Sequence, residues 1–325
     1  MRKGYTTGTC ATAASKAHGT FLLTGEKPEF VEVIMPDGSE ASIGVKSCDE
    51  AGACVVKDAG DDPDVTHGSD ICAHVELTSS DGIIIKGGVG VGTVTKAGLQ
   101  IPIGKPAINP VPLDMIRKNL LDAGIRNCVV TIFVPNGVEL AKQTFNSRIG
   151  IEGGISIIGT TGIVEPMSME ALTATIACEI DVLAENGADE IYLVPGKIGE
   201  KHLQKLLPEI QTVIMSNYVG FALEHTLKRN IHKITLAGHP GKLAKIAMGY
   251  YNTHSKQSPM AQNFISELLE LGEGYNTVEE ICEKVDRMDK VAEMISKEIL
   301  SNYPFESTKI LLFDMAGNLK GRWDG

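Results

Sequence analysis

The chain has 325 residues, 43% of them hydrophobic and 22% charged, which suits a soluble globular protein of two domains better than one with a single core. A formal net charge of −11 argues against nucleic acid or an anionic membrane as partner, while leaving room for an anionic small molecule in a locally basic pocket. Seven scattered cysteines with no Cys-x-x-Cys pair argue against a secreted disulfide framework and for a reducing cytoplasm. No apolar core of a signal peptide follows Met1-Arg2-Lys3, and no run is long enough to cross a membrane.

In chain order, Thr9 reads as the cap of a small-residue helix running to about Leu23 and stopped by Gly25. A strand over 30–35 and the turn Pro36-Asp37-Gly38 lead into a second strand. Further strands are expected over 53–57, 71–78 and 83–86. A glycine-dense loop (Gly87, Gly88, Gly90, Gly92) follows, then a proline-rich extended run through Pro106, Pro110 and Pro112 that cannot join a central ladder. A helix over 113–123, a strand over 128–134 and a short helix over 138–145 complete an α+β half. The boundary is placed near 148–153, dividing the chain into domains 1–150 and 151–325.

Between the expected strands 53–57 and 71–78 lies the most telling segment. Residues 57–68 set Asp58, Asp61, Asp62 and Asp64 within seven residues, between Lys57 and His67, with Gly60 and Pro63 as punctuation. Carboxylates this close raise one another's pKa and weaken a fold. Two readings fit: a solvated acidic turn, or a loop that binds a cation, orients polar groups or moves a proton. The spacing of His67, Cys72 and His74 is metal-like only superficially, because zinc sites need two such pairs, so Cys72 reads as a packed thiol and His74 as a satisfied histidine.

The second half alternates strand, loop and helix. Strands are expected over 155–158, 191–194, 212–215 and 233–237, each followed by a helix, which argues a parallel sheet covered on both faces. Ser168 reads as the cap of the first of these helices, with Leu172, Ile176, Ile180 and Leu183 on one face. Beyond them, Thr277 and Glu280 form a capping box for a helix striped by Val278, Ile281, Val285, Met288 and Ile295, and a last strand is expected over 309–313. Ligands of open parallel sheets bind beyond the carboxyl ends of the strands. Those ends carry Gly159-Thr160-Thr161-Gly162, Pro195-Gly196, Ser216-Asn217, and Gly238-His239-Pro240-Gly241-Lys242, and all four are expected to converge on one crevice. Helix N-termini there offer N–H groups to a carboxylate or phosphate. The glycine spacing matches neither a dinucleotide fingerprint nor a P-loop, since Leu243 stands where Ser or Thr would be required. His239 and His254 flank the same crevice.

Taken together, these motifs resemble the CbiD family, the cobalt-precorrin-5B C1-methyltransferases of anaerobic cobalamin biosynthesis. The resemblance is carried by Tyr5-Thr6-Thr7-Gly8-Thr9-Cys10, the 57–68 loop, Gly90-Val91-Gly92 with Val94-Thr95-Lys96, and Pro106-Ala107-Ile108-Asn109-Pro110-Val111-Pro112. It continues through 153–162, Pro166-Met167-Ser168, Ala237-Gly238-His239 with Gly241-Lys242-Leu243, and Thr253-His254-Ser255. Ala97 departs from the family's usual proline, and Leu113 from a common arginine. The resemblance implies S-adenosylmethionine as methyl donor and a polycarboxylated cobalt-precorrin as acceptor, converted to cobalt-precorrin-6A, with the cobalt belonging to the substrate and no protein-bound metal. It also implies a ribosomal protein S5 domain 2-like N-terminal unit and a Rossmann-like C-terminal unit.

On this reading the C-terminal crevice holds the donor through Gly159, Thr160, Thr161, Gly162, Ser216, Asn217, Gly238, His239, Gly241 and Lys242. Thr6, Thr7, Lys57, Lys96, Asn109, His254 and Ser255 contact the macrocycle, and Lys86 and Lys105 are further basic candidates. Asp58, Asp61, Asp62, Asp64 and His67 are the catalytic candidates. The reading leaves room for a homo-oligomer and for transient contacts with neighbouring pathway enzymes. Its competitors are a non-catalytic tetrapyrrole carrier and a nicotinamide-dependent reductase of the same macrocycle.

Overall fold

A computed structural model describes residues 1–166, 168–272 and 274–325, so Met167 of the Pro166-Met167-Ser168 motif lies outside the described residues. The chain forms two compact α/β units, Met1–Ser168 and Met169–Gly325.

The first unit is built on helix Thr7–Thr24, which starts one turn earlier than the sequence suggested because Thr6, not Thr9, is the cap: its hydroxyl accepts the Thr9 N–H at 3.2 Å. Gly25 ends the helix in the left-handed conformation, φ 75°. Cys10, Ala11, Ala13, Ala14 and Ala17 are all buried, and their small size lets the helix lie close to its neighbours. One neighbour is helix Pro110–Asp122, which begins at the prolines themselves because a first-turn proline lacks only an N–H that would have no helical partner. The others are strands of a five-stranded sheet ordered Ser47–Asp49, Gly52–Val56, Asp70–Leu77, Cys128–Phe133 and Ile83–Gly87. Its pairs are antiparallel except the last. Ile71, Ala73, Val75, Val130 and Ile132 face the core. On the adjacent strands Cys54 is disulfide-bonded to Cys72. The expected packed thiol at Cys72 is thus corrected: the two residues stand opposite each other in register, a pairing that needs the ladder to be known.

The boundary falls at 168/169 rather than at 150/151. Ile151–Glu152 pairs with Thr93–Val94, Gly154–Ile155 with Gly90–Val91, and Ile163–Val164 with Gly4–Tyr5. Glycines permit this: a Cβ on Gly154 would lie 2.3 Å from the Gly90 backbone. The expected strand over 155–158 therefore belongs to the first unit, where Gly154–Ile155 pairs in parallel with Gly90–Val91, and takes no part in the second unit's sheet.

In the second unit the sheet order is Thr212–Ile214, Ile191–Val194, Lys233–Gly238, Ser307–Phe313, Leu319–Asp324. The first four strands are parallel and the last is antiparallel. The expectation of four parallel strands holds with one exchanged member, Ser307–Phe313 in place of 155–158. Numbered along the chain, the order 2-1-3-4 reverses direction between Ile191–Val194 and Lys233–Gly238. Ile191, Leu193, Leu236, Ile310 and Leu312 pack in one core cluster; Val194, Ala237, Leu311 and Phe313 pack with Leu203 of helix Lys197–Leu206 in another. The helix expected after Thr277 is two, Val278–Lys284 and Asp289–Asn302. The interruption falls where Val285 turns extended and the Met288 N–H bonds to the Lys320 carbonyl at 2.6 Å, part of the contact with the unforeseen strand Leu319–Asp324.

Candidate functional site

The acidic loop is held by its own neighbours. The Arg2 guanidinium grips both Asp58 oxygens, and Gly60 N–H donates to the same carboxylate at 2.9 Å. The Arg2 hydrogen bond first, then the Gly60 N–H, hold the Asp58 carboxyl down at about 2. Asp61 accepts the Arg2 main-chain N–H at 2.6 Å. Asp64 bonds to Lys57 Nζ at 2.5 Å and accepts both the N–H and the hydroxyl of Thr66. Burial pushes the Asp64 carboxyl up, but Lys57 and Thr66 outweigh it, so it sits below its ordinary value. His67 is half exposed, and its Nδ1 accepts the Ala59 N–H at 3.1 Å, which places the ring proton on Nε2. Main-chain bonds from Tyr5 N–H to Asp58 O and from Asp61 N–H to Arg2 O bind the loop to the N-terminal strand. The approach is so close that a Cβ on Gly60 would lie 2.2 Å from the Arg2 carbonyl.

Asp58 and the exposed Thr160 and Thr161 line one cleft of about 750 Å³ in the first unit, with Arg2, Lys3, Tyr5, Asp37 and Glu165. Two ion pairs, Arg2–Asp58 and Lys3–Glu165, lie in its lining.

Several expected roles change here. Lys57 is 1% exposed beneath the loop and neutralises Asp64, so it is out of reach of an external macrocycle. Thr6 and Thr7 are buried, and their hydroxyls bond inside the protein: Thr7 Oγ1 accepts the Ile158 N–H at 2.9 Å and donates to the Ser156 carbonyl at 3.1 Å. Gly159 and Gly162 stand in the first unit, not at a carboxyl edge of the parallel sheet. A Cβ on Gly159 would meet Thr6 at 2.3 Å and one on Gly162 would meet Met35 at 2.5 Å, so these glycines serve close packing. Asn109 occupies the N-cap position of helix Pro110–Asp122 without a side-chain cap bond. The half-buried Lys96 lays its methylenes over Gly150, while Lys86 and Lys105 are exposed.

The carboxyl edge of the second unit keeps the other three loops. Ser216 has φ 51°, left-handed for a non-glycine residue, and Asn217 follows it before helix Val219–Lys228. His239 is the N-cap of helix Pro240–Ala247: its Nδ1 accepts the Gly241 N–H at 3.1 Å, and a Cβ on Gly241 would crowd that nitrogen at 3.0 Å. Gly238 leaves room for Pro195, 2.8 Å from where its Cβ would be, so those two loops pack directly on each other. Lys242 is half-buried; burial first, then neighbouring Lys245, lower its pKa. His254 and Ser255 are exposed on the segment that follows.

His239, Glu279 and Cys282 bring three metal-ligand atoms within 4.8 Å of one another. With Nδ1 accepting a main-chain N–H, the ring proton lies on Nε2 and is donated to Glu279 at 2.8 Å. The buried Cys282 thiol is pushed up to about 12 by burial, Glu279 and Asp314. The trio is thus a histidine–carboxylate clasp beside a buried thiol.

Residues 1–166 match the family model CbiD. A cobalt-precorrin-5B C(1)-methyltransferase of Alkaliphilus oremlandii is 40% identical over 97% of this chain and 95% of its own. This chain belongs to the CbiD family. The Moorella thermoacetica protein of the same name is 42% identical, covering 82% of this chain and 75% of its own. A crystal structure titled cobalamin biosynthesis protein (cbiD) from Archaeoglobus fulgidus is 32% identical over 81% of this chain and 84% of that one, with TM-score 0.45.

Sequence reasoning about this CbiD chain missed Arg2, Lys3, Asp37 and Glu165, which complete the cleft. Asp37 sat in an ordinary turn signal, and Arg2 in an N-terminal segment whose only noted feature was the absence of a signal peptide's apolar core. Arg2 carried no local sign of its distant partner Asp58.

Proposed function

We propose that this CbiD-family chain is an S-adenosylmethionine-dependent methyltransferase acting at C1 of cobalt-precorrin-5B. The observation that carries the reading is the identity of 40% with a relative of that activity over 97% of this chain. The 2-1-3-4 strand order supports reading the second unit as Rossmann-like and the donor's holder. The first unit is read as S5 domain 2-like and as the macrocycle's holder. Among the described residues no helix is long and apolar enough to cross a membrane.

S-adenosylmethionine supplies an electrophilic methyl group on a sulfonium; the chain supplies position and charge. Helix Lys197–Leu206 starts at Gly196 without a side-chain cap, and a Cβ there would meet nothing within 4 Å, so free N–H groups face open room that fits a donor's polar end. Orientation of donor and acceptor is the main task and lowers the barrier by roughly 7–11 kcal/mol in well-aligned cases. In the first unit, Asp58, Asp61 and Asp64 are committed to the loop's shape. The exposed Nε2–H edge of His67 is read as the loop's substrate contact, with Asp62 kept as the catalytic candidate that the sequence offered.

Incubating the pure protein with cobalt-precorrin-5B and methyl-labelled donor, without oxygen, tests the function: label must appear in the macrocycle. Asp62→Asn is expected to lower turnover more than about tenfold with an unchanged fold. Turnover equal to that of the parent would remove Asp62 from the chemistry while leaving the methyl transfer itself standing.

A further inference from the structure

Helix Pro240–Ala247 carries two ammonium groups three residues apart on one face, Lys242 and Lys245. Lys245 is 7% exposed, and its Nζ donates to the Thr253 carbonyl at 3.1 Å and to Ser258 Oγ at 3.0 Å, both uncharged acceptors. The half-buried Lys242 side chain has neither hydrogen bond nor ion pair among the described residues. Among the described residues no carboxylate pairs with it; its electrostatic neighbour is Lys245, a like charge.

A buried ammonium without a counter-charge is costly, and a second one beside it adds repulsion. Acidic side chains are not scarce in this protein, which has 41 of them against 30 lysines and arginines. Elsewhere the chain pairs its buried cation: Lys57, 1% exposed, has Asp64 at 2.5 Å. The helix adds its own positive N-terminal end at Lys242, within the first turn.

The surroundings are ordered. Thr253 N–H donates to the Asn217 carbonyl at 3.0 Å, and Ser258 Oγ donates to the His254 carbonyl at 3.0 Å. His254 Nδ1 accepts the Lys256 N–H at 3.1 Å, so the exposed ring carries its proton on Nε2, another donor.

We propose that the Lys242–Lys245 face, with Asn217 and the 253–258 segment, is a carboxylate-binding subsite of the second unit. The anion site follows from the unpaired cations alone. Naming its carboxylate rests on the methyl-transfer reading, which offers two sources: the amino-acid tail of the donor and the acid side chains of the macrocycle.

Three measurements on the full chain and Lys242→Met separate these. First, at fixed ionic strength, replacing chloride by sulfate is expected to raise the Tm of the parent more than that of the variant; equal shifts overturn the subsite. Lys242→Gln repeats the comparison if the methionine variant does not fold. Second, calorimetry compares S-adenosylhomocysteine with 5′-methylthioadenosine, which lacks the amino-acid tail. If the tail is the occupant, the variant loses about tenfold for the first ligand and nothing for the second. Third, a stable cobalt corrinoid with free carboxylates is compared with its fully esterified form. If the macrocycle is the occupant, the loss falls on the free acid. A sulfate difference without binding of any of these ligands to the parent would keep the anion site and overturn the methyl-transfer reading. Unchanged binding of all four ligands by the variant would overturn the carboxylate assignment.

Discussion

The acidic loop of the first unit and the lysine face of the second are opposites in more than sign. The loop looks extreme in the sequence, with Asp58, Asp61, Asp62 and Asp64 close together, yet Asp58, Asp61 and Asp64 are each answered by Arg2, by a main-chain N–H or by Lys57. The lysine face looks ordinary in the sequence, yet Lys245 meets only neutral acceptors and Lys242 meets none among the described residues. Charge density along a chain therefore says little about where a charge is available to a ligand. Compensation in space decides that, because a neutralised carboxylate has already exchanged water for a partner.

The comparison can be broken at its strongest joint first. Lys57→Met leaves Asp64 with no buried cation and is expected to cost about 3 kcal/mol in chemical denaturation. The double variant with Asp64→Asn should recover much of that loss, and a purely additive double variant would show that the pair does not hold the loop. Gly60→Ala comes next, at about 2 kcal/mol, since its Cβ would enter the Arg2 carbonyl and its φ of 69° disfavours alanine. A Gly60→Ala protein of parental stability would mean that the loop does not press on the N-terminal strand. In the second unit, His239→Ala removes the N-cap of helix Pro240–Ala247 and the Glu279 contact, for about 1 kcal/mol. His239→Asn, which can still cap, should restore part of it.

The smallest effect is the most diagnostic for charge. The Asp58 side chain is 46% exposed, so solvent screens its pair with Arg2, and Asp58→Asn should cost under about 1 kcal/mol at neutral pH. The folded carboxyl, at about 2, lies below its ordinary 3.8. Its contribution is therefore present above the ordinary value and lost as pH falls from there through the folded one. Stability curves of parent and Asp58→Asn should converge over that window, and curves that stay parallel would deny the pair any role in the fold.

Much of the fold was legible locally. Strands Ile191–Val194 and Lys233–Gly238 announce themselves as short apolar runs, and Gly25 ends its helix with a φ of 75°, as expected of a glycine stop. The Thr277 cap is equally local, with Glu280 N–H on its hydroxyl at 3.2 Å. What failed was long-range. The 151–164 segment reads like an opening βα unit, but its strands pair with residues far earlier in the chain, through glycines that let backbones approach. The Thr6-Thr7-Gly8-Thr9 motif carried the family resemblance and suggested substrate contact; it clamps the 156–162 segment instead.

Unaided, the order of residues determined the family, the α/β class and the helix-capping chemistry, because each depends on neighbours a few positions apart or on motifs kept in line. Tertiary structure alone decided which glycines make room for another backbone, where the two units divide, and which charges are cancelled. Those outcomes depend on partners such as Arg2 and Asp58, 56 residues apart, brought together only when the chain closes on itself.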